Sequence, residues 1–179
     1  GLADGDTTRL YFPADTLQLR AMIGRIFNDS GLRFIFSTRS ATPFIENETG
    51  ERVYGEGYSF EPGKDEVIRQ GSDGYIVSYG EMLYRCLDVV EQLKQEGISV
   101  GLINKPTLNV IDADMLALAG NSPFVLVVES QSTKSGLGSR YGTWLLENGF
   151  APRYAHLGTY REGCGGLGEQ IMHQGCDPA

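Results

Sequence analysis

The sequence predicts an α/β protein with a mostly parallel sheet flanked by helices, preceded by a partial βαβ unit. Short apolar runs recur along the chain, and most are separated by segments whose apolar residues follow helical spacing. The links between these segments are short, which is typical of right-handed strand–helix–strand crossovers. The run at residues 123–129 also lacks polar alternation, which predicts a strand covered on both faces.

The composition is that of an ordinary globular chain, and it argues against several classes of function. Of 179 residues, 41% are hydrophobic and 21% are charged, which is enough apolar material for a core. The formal net charge of -8 argues against a nucleic-acid partner, because a duplex binder needs a basic surface. No apolar run approaches the roughly 20 residues that span a bilayer, and no signal peptide opens the chain.

The first residues predict the partial βαβ unit. Residues 8–12 form a short strand that Pro13 ends, and Asp15 or Thr16 can cap the helix that follows. The second strand is predicted at residues 33–37, where three consecutive apolar residues indicate burial. The apolar positions of the helix between them are Leu17, Leu19, Met22, Ile23, Ile26 and Phe27.

Residues 41–73 have a different character and predict a connecting stretch. Glycine, proline and scattered acidic residues dominate it, and short extended pieces are predicted only at residues 52–54 and 66–69. The domain boundary is expected near residue 70. The predicted organisation is the βαβ part at 1–45, a linker at 46–73 and a larger domain at 74–179.

Strand and helix predictions alternate regularly after Gly74. The first helix has an apolar face that includes Cys86, which is therefore expected in the core, and Gly97 ends this helix. Asp112 is expected to cap the next helix. The predicted strands are 75–79, 98–103, 123–129 and 151–158, and the predicted helices are 81–96, 113–119 and 135–148.

The cysteines and histidines predict neither a disulfide framework nor a metal site. Cys86, Cys164 and Cys176 are an odd number without zinc-site spacing, so a cytoplasmic location is expected. His156 lies in a strand pattern with no second ligand at a suitable spacing, and we expect it to be structural. The stretch GCGGLGEQ at 163–170 lacks the lysine of a phosphate loop, so it predicts a turn entering a terminal helix.

Arg39 is the strongest candidate for a ligand-binding residue. It follows the predicted strand 33–37, and ligands of open α/β sheets bind just outside the carboxyl ends of strands. A guanidinium fork suits phosphate or carboxylate, and neighbouring hydroxyls add donors. The alternative is an ion pair with Glu46 or Asp15, and spacing alone leaves both roles open. The flanking hydroxyl residues are Ser37, Thr38 and Ser40.

Glu129 is a weaker candidate for a site residue. It ends the most apolar strand, where it is a possible edge of a site, a cap for the following helix or an ion-pair partner of Lys134. The sequence shows no catalytic triad with a credible nucleophile, so no catalytic residue is assigned in this chain.

A series of short motifs is spread over almost the whole length of the chain. The opening segments are Tyr11–Asp15 and Gly31–Arg39. The later motifs are Gly63-Lys64, Val67-Ile68-Arg69, Gly71, Asp73, Gly80, Glu96-Gly97-Ile98, Pro106-Thr107, Asp112, Val127-Val128-Glu129 and Gly136-Leu137-Gly138. Together they resemble the transketolase family, from the end of its pyrimidine-binding domain through its C-terminal domain.

The resemblance implies the C-terminal piece of a thiamine-diphosphate-dependent enzyme. Such an enzyme moves two-carbon ketol units between sugar phosphates in the pentose phosphate pathway and is a homodimer. Arg39 then binds the substrate phosphate, with Thr38 and Ser40 as weaker candidates. The family's motif for magnesium and its cofactor glutamate are not found, so this chain alone is expected to be inactive and to bind no cofactor. Upstream residues or a separate subunit are the expected partner.

Two departures leave the family member open. Ser40-Ala41-Thr42 follow Arg39 where many transketolases have Gln-Asn or Pro-Glu-Asn, and Ser130-Gln131 stand where many members have Asp-His. One alternative is the corresponding region of a deoxyxylulose-phosphate synthase or of a 2-oxo acid dehydrogenase beta subunit. The other alternative is a non-catalytic α/β module used for dimerisation or regulation.

Overall fold

The computed structural model describes residues 7–160, which form a two-stranded sheet and a five-stranded sheet. No helix in this range combines the length and apolar character needed to cross a membrane. The elements are β1 (Thr8–Tyr11), α1 (Thr16–Ile26), β2 (Leu32–Ile35), β3 (Glu66–Arg69), β4 (Gly74–Ser78), α2 (Met82–Gln95), β5 (Val100–Asn104), α3 (Ala113–Gly120), β6 (Phe124–Ser132), α4 (Leu137–Glu147) and β7 (Arg153–Thr159).

The larger sheet has the order β3-β5-β4-β6-β7, and only β3 runs antiparallel to its neighbour. This confirms the predicted mostly parallel α/β fold. Alternate residues of β4 face opposite cores: Ile76 packs with α2, whereas Val77 packs with α3 and α4. Both faces of the central strands are therefore covered, as the apolar run in β6 predicted.

The smaller sheet pairs β1 with β2 in parallel, with α1 as the crossover between them. The other edge of β1 contacts the segment after β5. The Phe12 amide donates to the Pro106 carbonyl and the Leu108 amide donates to the Leu10 carbonyl, both at 2.9 Å. The larger domain thus holds β1, which leaves β2 at the open edge of the small sheet.

The prediction that the apolar run around β2 is buried is wrong for this chain. Phe34, Ile35 and Phe36 keep 48%, 40% and 42% of their surface exposed. The alternating side chains of a strand point to opposite faces, so β2 is partly uncovered on both of them. The physical reason is that only two strands of this sheet lie in the described chain, so β2 lies at its open edge and is covered only in part, for example where Phe36 stacks on Phe12 with ring centroids 4.4 Å apart.

Three elements differ in detail from their predictions. The extended piece at residues 66–69 is an edge strand of the larger sheet, paired with β5. The piece predicted at residues 52–54 makes only an isolated bridge, between Arg52 and Glu46, before the chain turns. The most apolar strand continues to Ser132, beyond its predicted end, because β7 pairs with it there. The division at residues 45 and 73 remains a prediction.

The predicted helix ends agree with the structure. Gly97 has φ +82°, and the Ile98 amide beyond it donates to the Leu93 carbonyl at 2.9 Å. Such a left-handed residue is strained for side chains other than glycine's and closes the helix. Asp15 caps α1 and Asp112 caps α3, each through its side chain.

Candidate functional site

Arg39 lies in an exposed loop beyond the carboxyl end of β2. Within residues 7–160, its side chain forms no hydrogen bond, ion pair or ring contact. The Thr38 hydroxyl donates to the Ser40 carbonyl at 2.6 Å, so the loop turns back on itself beside the arginine. The three residues predicted to bind phosphate therefore share one exposed turn.

In the described residues, neither alternative partner forms an ion pair with Arg39. Asp15 is buried: its Oδ1 atom accepts from two first-turn amides of α1, both at 2.9 Å, and its Oδ2 atom accepts from the Ile45 amide at 3.0 Å. Glu46 offers its carbonyl oxygen to the Arg69 guanidinium at 3.0 Å. Among the described residues, the guanidinium of Arg39 thus has no carboxylate partner.

Glu129 lies buried late in β6 and binds the start of α4. Its carboxylate accepts from the Tyr79 hydroxyl at 3.0 Å and from the amides of Leu137 and Gly138 at 2.7 and 2.8 Å. A helix N-terminus favours a negative charge at this position. Among its three predicted roles the structure therefore shows the helix cap, and within residues 7–160 it forms no ion pair with Lys134. Its role as a site edge remains a prediction.

Protein atoms fill the position where an α/β sheet usually binds ligands. β4 and β6 are neighbours in the sheet, but the chain leaves β4 toward β5 on one side and leaves β6 toward β7 on the other. A crevice is therefore expected between the carboxyl ends of β4 and β6. Glu129 and Tyr79 occupy it, and Phe12 packs edge-on against Tyr79 with ring centroids 4.9 Å apart. A Cβ atom on Gly136 would lie 2.1 Å from Glu129 Oε2. Glu129 thus takes the place of a bound anion at this helix terminus.

A buried ion pair, which the sequence patterns did not indicate, supports the segment that holds β1. Lys105 Nζ lies 3.0 and 3.1 Å from the two carboxylate oxygens of Asp65 and 2.7 Å from the Val110 carbonyl. Burial raises the pKa of Asp65 to about 7, although the neighbouring ammonium lowers it. The only available signal was a lysine directly after an apolar strand.

A buried hydrogen-bond network, centred on the Glu66 carboxylate, joins the βαβ unit to the larger sheet. Its Oε2 atom accepts from Gln18, Tyr54 and Asn104 at 2.9 to 3.0 Å, and its Oε1 atom accepts from Tyr58. Burial raises the pKa of this carboxyl group, and the hydrogen bonds oppose the shift. These donors come from α1, the connecting stretch and β5, so their convergence could not be read from the sequence.

Cys86 is buried inside the larger domain, whereas His156 is only partly buried. His156 lies against α4, and a Cβ atom on Gly138 would come within 2.4 Å of its Nδ1 atom. Cys86 is buried with its pKa raised to about 12 by burial, which confirms the predicted core position. Cys164, Cys176, His173 and the stretch 163–170 lie outside the described residues.

An open cavity of about 1090 Å³ lies between α1 and the connecting stretch. Arg20, Arg52, Glu51 and Glu56 line it with balanced charge. No residue of the loop 36–45 contributes to its wall, so this cavity is separate from Arg39.

The described residues do not fit the cofactor that the family resemblance implies. Within residues 7–160, no group of three or more His, Cys, Asp or Glu side chains is placed to hold a metal ion. The helix terminus best suited to an anion is already capped by Glu129.

The structure defines the class of this protein as a mostly parallel α/β domain joined to a partial βαβ unit that carries an exposed arginine. The switch point of its larger sheet, which is the crevice between the carboxyl ends of β4 and β6, is filled by protein side chains. The model of the family described as "Transketolase, C-terminal domain" matches residues 63–173. Because the match covers more than half of the chain, this protein belongs to the transketolase C-terminal domain family. The resemblance read from the motifs is confirmed.

Curated relatives share part of their length with this chain. The transketolase family protein y4mN of Sinorhizobium fredii, described as putative and uncharacterized, is 30% identical over 142 residues, 78% of this chain and 39% of the relative. One of the subunits of an apulose-4-phosphate transketolase of Actinobacillus succinogenes is 26% identical over 142 residues, which are 79% of this chain and 43% of the relative. A 1-deoxy-D-xylulose-5-phosphate synthase of Synechococcus is 37% identical over 86 residues, which are 48% of this chain and 13% of the relative. The chain thus spans about two fifths of the first two relatives.

A solved structure confirms the fold over nearly the whole chain. The protein described as "Split gene transketolase, inactive beta4 tetramer" superposes with a TM-score of 0.84 and 24% identity. The match covers 96% of this chain and 54% of that one. At this level of identity the likeness establishes the fold alone.

Proposed function

We propose that this chain is the C-terminal portion of a thiamine-diphosphate-dependent transketolase that moves two-carbon ketol units between sugar phosphates. Membership of the transketolase C-terminal domain family supports the enzyme class. Two of the three curated relatives described above carry transketolase in their names, and one of these two is named as a subunit. The pentose phosphate pathway, a cytoplasmic location and a homodimer of the intact enzyme are part of the same proposal.

The position of Arg39 is the observation that carries the substrate assignment. Its guanidinium is exposed at the carboxyl end of β2 and has no partner in the described residues. On a chain with a net charge of -8, a local cation is required to bind an anionic substrate. We assign it to the phosphate of the sugar, with weaker support from Thr38 and Ser40.

This chain supplies binding energy to the reaction and none of its covalent chemistry. A phosphate held at a distance from the reacting carbonyl orients that carbonyl and lowers the barrier through remote binding. Thiamine diphosphate and magnesium are assigned to upstream residues or to a separate partner chain, because the described residues do not fit them.

The open strand β2 supports the need for that partner. The segment after β5 already holds the other edge of β1, so a further strand of the small sheet has to join β2. The exposed Phe34 and Ile35 lie on opposite faces of β2, which indicates that a partner covers both faces. One similar curated protein is itself named as a subunit of a transketolase.

The test is an assay of the enzyme reconstituted with its upstream partner. Arg39→Ala should raise the Michaelis constant for a phosphorylated ketose donor by roughly 10- to 150-fold, the loss of one charge-assisted contact of about 1.5–3 kcal/mol. A non-phosphorylated donor should be affected little, because it has no phosphate to bind. Arg20→Ala is the matched control, since Arg20 is an exposed arginine of the same unit outside the loop 36–45.

An equal loss with both donors would refute the phosphate assignment. The same preparation should be given pyruvate in place of xylulose phosphate, because the similarity to a 1-deoxy-D-xylulose-5-phosphate synthase favours that reaction as the second candidate. Turnover of pyruvate without ketol transfer would replace the transketolase proposal. Absence of any turnover in the complete assembly would favour the non-catalytic module.

A further inference from the structure

We propose that Asp15 is the positioning residue for Arg39, an inference that rests on the phosphate role of Arg39. Asp15 does not touch the substrate in this proposal. Its carboxylate holds the loop that carries the arginine while it caps α1. The two functions use different oxygen atoms, so they can be separated by substitution.

The loop of Arg39 is tied down at its two ends by the same short segment. At one end, the Phe36 amide donates to the Tyr11 carbonyl at 2.9 Å. At the other, the Ile45 amide donates to Asp15 Oδ2 at 3.0 Å. Between these two bonds, the only side-chain hydrogen bond among the described residues is from Thr38 to Ser40 within the loop.

The anchor at Ile45 is well suited to hold a loop in place. Ile45 is fully buried, and its carbonyl accepts from the Val53 amide at 2.9 Å. Asp15 is 4% exposed, and its charge is satisfied by three backbone amides. A hydrogen bond to a buried carboxylate is stronger than a neutral one, so its loss should weaken the anchor at this end of the loop.

Asp112 provides the same chemistry at a different place. Its Oδ1 atom accepts from the first-turn amides of α3 at 3.2 and 3.5 Å, and its Oδ2 atom accepts from the Asp65 amide at 3.0 Å. It therefore caps one helix and anchors one loop, as Asp15 does. No residue of the loop 36–45 contacts Asp112 through these bonds, which makes it a matched control.

The separating substitution is Asp15→Asn. Asparagine caps helices as well as aspartate does, and its amide oxygen stays with the two donors of α1. Its NH2 group then faces the Ile45 amide, where two donors cannot bond. Asp15→Ser is the second variant, because its single oxygen retains the cap and leaves no acceptor for Ile45.

The first measurement is amide hydrogen exchange of the whole chain by NMR. In both Asp15 variants the Ile45 amide should exchange roughly 10-fold faster or more, while the amides of α1 keep their protection. Asp112→Asn should leave Ile45 unchanged. Unchanged exchange at Ile45 in Asp15→Asn would overturn the proposal, and so would an equal loss of protection throughout α1.

The second measurement is steady-state kinetics of the reconstituted enzyme. Asp15→Asn should raise the Michaelis constant for the phosphorylated donor, leave that for the non-phosphorylated donor unchanged and add little to Arg39→Ala in the double variant. Additive effects would overturn the positioning role. If Arg39→Ala itself does not distinguish the donors, the phosphate assignment fails, and the exchange data still report whether Asp15 anchors the loop.

Discussion

Replacing Lys105 by methionine should destabilise the chain strongly. The substitution removes the ammonium from two carboxylate oxygens of Asp65 and from the Val110 carbonyl, all within 3.1 Å. Both side chains of the pair are at most 2% exposed, so water cannot replace the lost partner. Breaking such a buried pair from one side costs about 3–5 kcal/mol, because a charge is left uncompensated. Methionine preserves most of the aliphatic stem, so packing contributes little to the loss.

Urea denaturation followed by tryptophan fluorescence is the appropriate assay. The chain contains one tryptophan, Trp144, whose ring centroid lies 5.5 Å from Lys105 Nζ. At pH 8 the free energy of unfolding should fall by the stated amount, and at pH 5 the loss should shrink because the unpaired carboxyl group of Asp65 becomes protonated. The matched control is Lys94→Met, which removes an exposed pair with Glu48 and should leave the midpoint unchanged.

A loss below about 1 kcal/mol at pH 8, with an unchanged denaturant slope, would refute the reasoning. It would mean that water reaches Asp65 or that the carboxyl group is already neutral in the native chain. A loss of the same size at pH 5 and pH 8 would contradict the electrostatic explanation and indicate a packing defect instead.

Two further predictions follow from the buried carboxyl groups. Gly136→Ala should destabilise the start of α4 by about 1–3 kcal/mol, since its Cβ would lie 2.1 Å from Glu129 Oε2. The control is Gly24→Ala in α1, at an exposed glycine with open space around it and no positive φ, which should cost no stability. Urea midpoints measure both variants, and equal losses would contradict the close approach. The pH dependence follows from Asp65, whose folded pKa of about 7 lies above its ordinary 3.8, so folding takes up a proton and the free energy of unfolding falls as pH rises from about 4 to about 7. Asp65→Asn should remove this dependence of the free energy of unfolding on pH. The measurement is the urea midpoint of the wild-type chain and of the variant from pH 4.5 to 8, and the same change with pH in both proteins would contradict the assignment to Asp65.

Much of the larger domain was predictable because its signals are local. Each apolar run that became a central strand is short and unbroken, and each helix carries its own cap or terminating glycine, such as Asp112 and Gly97. The ordered motifs then identified the family that the comparison confirmed. These features depend on neighbours within a few residues, so they are visible in the linear chain.

The candidate site was only partly predictable. Arg39 could be singled out because it follows an apolar strand. Whether it forms an ion pair within the chain depended on the positions of Asp15 and Glu46, which the sequence does not give. The structure directs Asp15 to α1 and Ile45, which leaves the guanidinium without an internal partner in the described residues. That outcome depends on a contact across 30 residues, which no local pattern contains.

The linear sequence was sufficient to predict the α/β class, the strand and helix order and the family, because periodicity, caps and short motifs are local properties. Only the tertiary structure revealed that β2 is exposed, that Glu129 fills the switch point and that Lys105 pairs with Asp65. These facts arise from the packing of segments far apart in the chain. Burial and charge pairing depend on such packing, so they are decided only when the chain has folded.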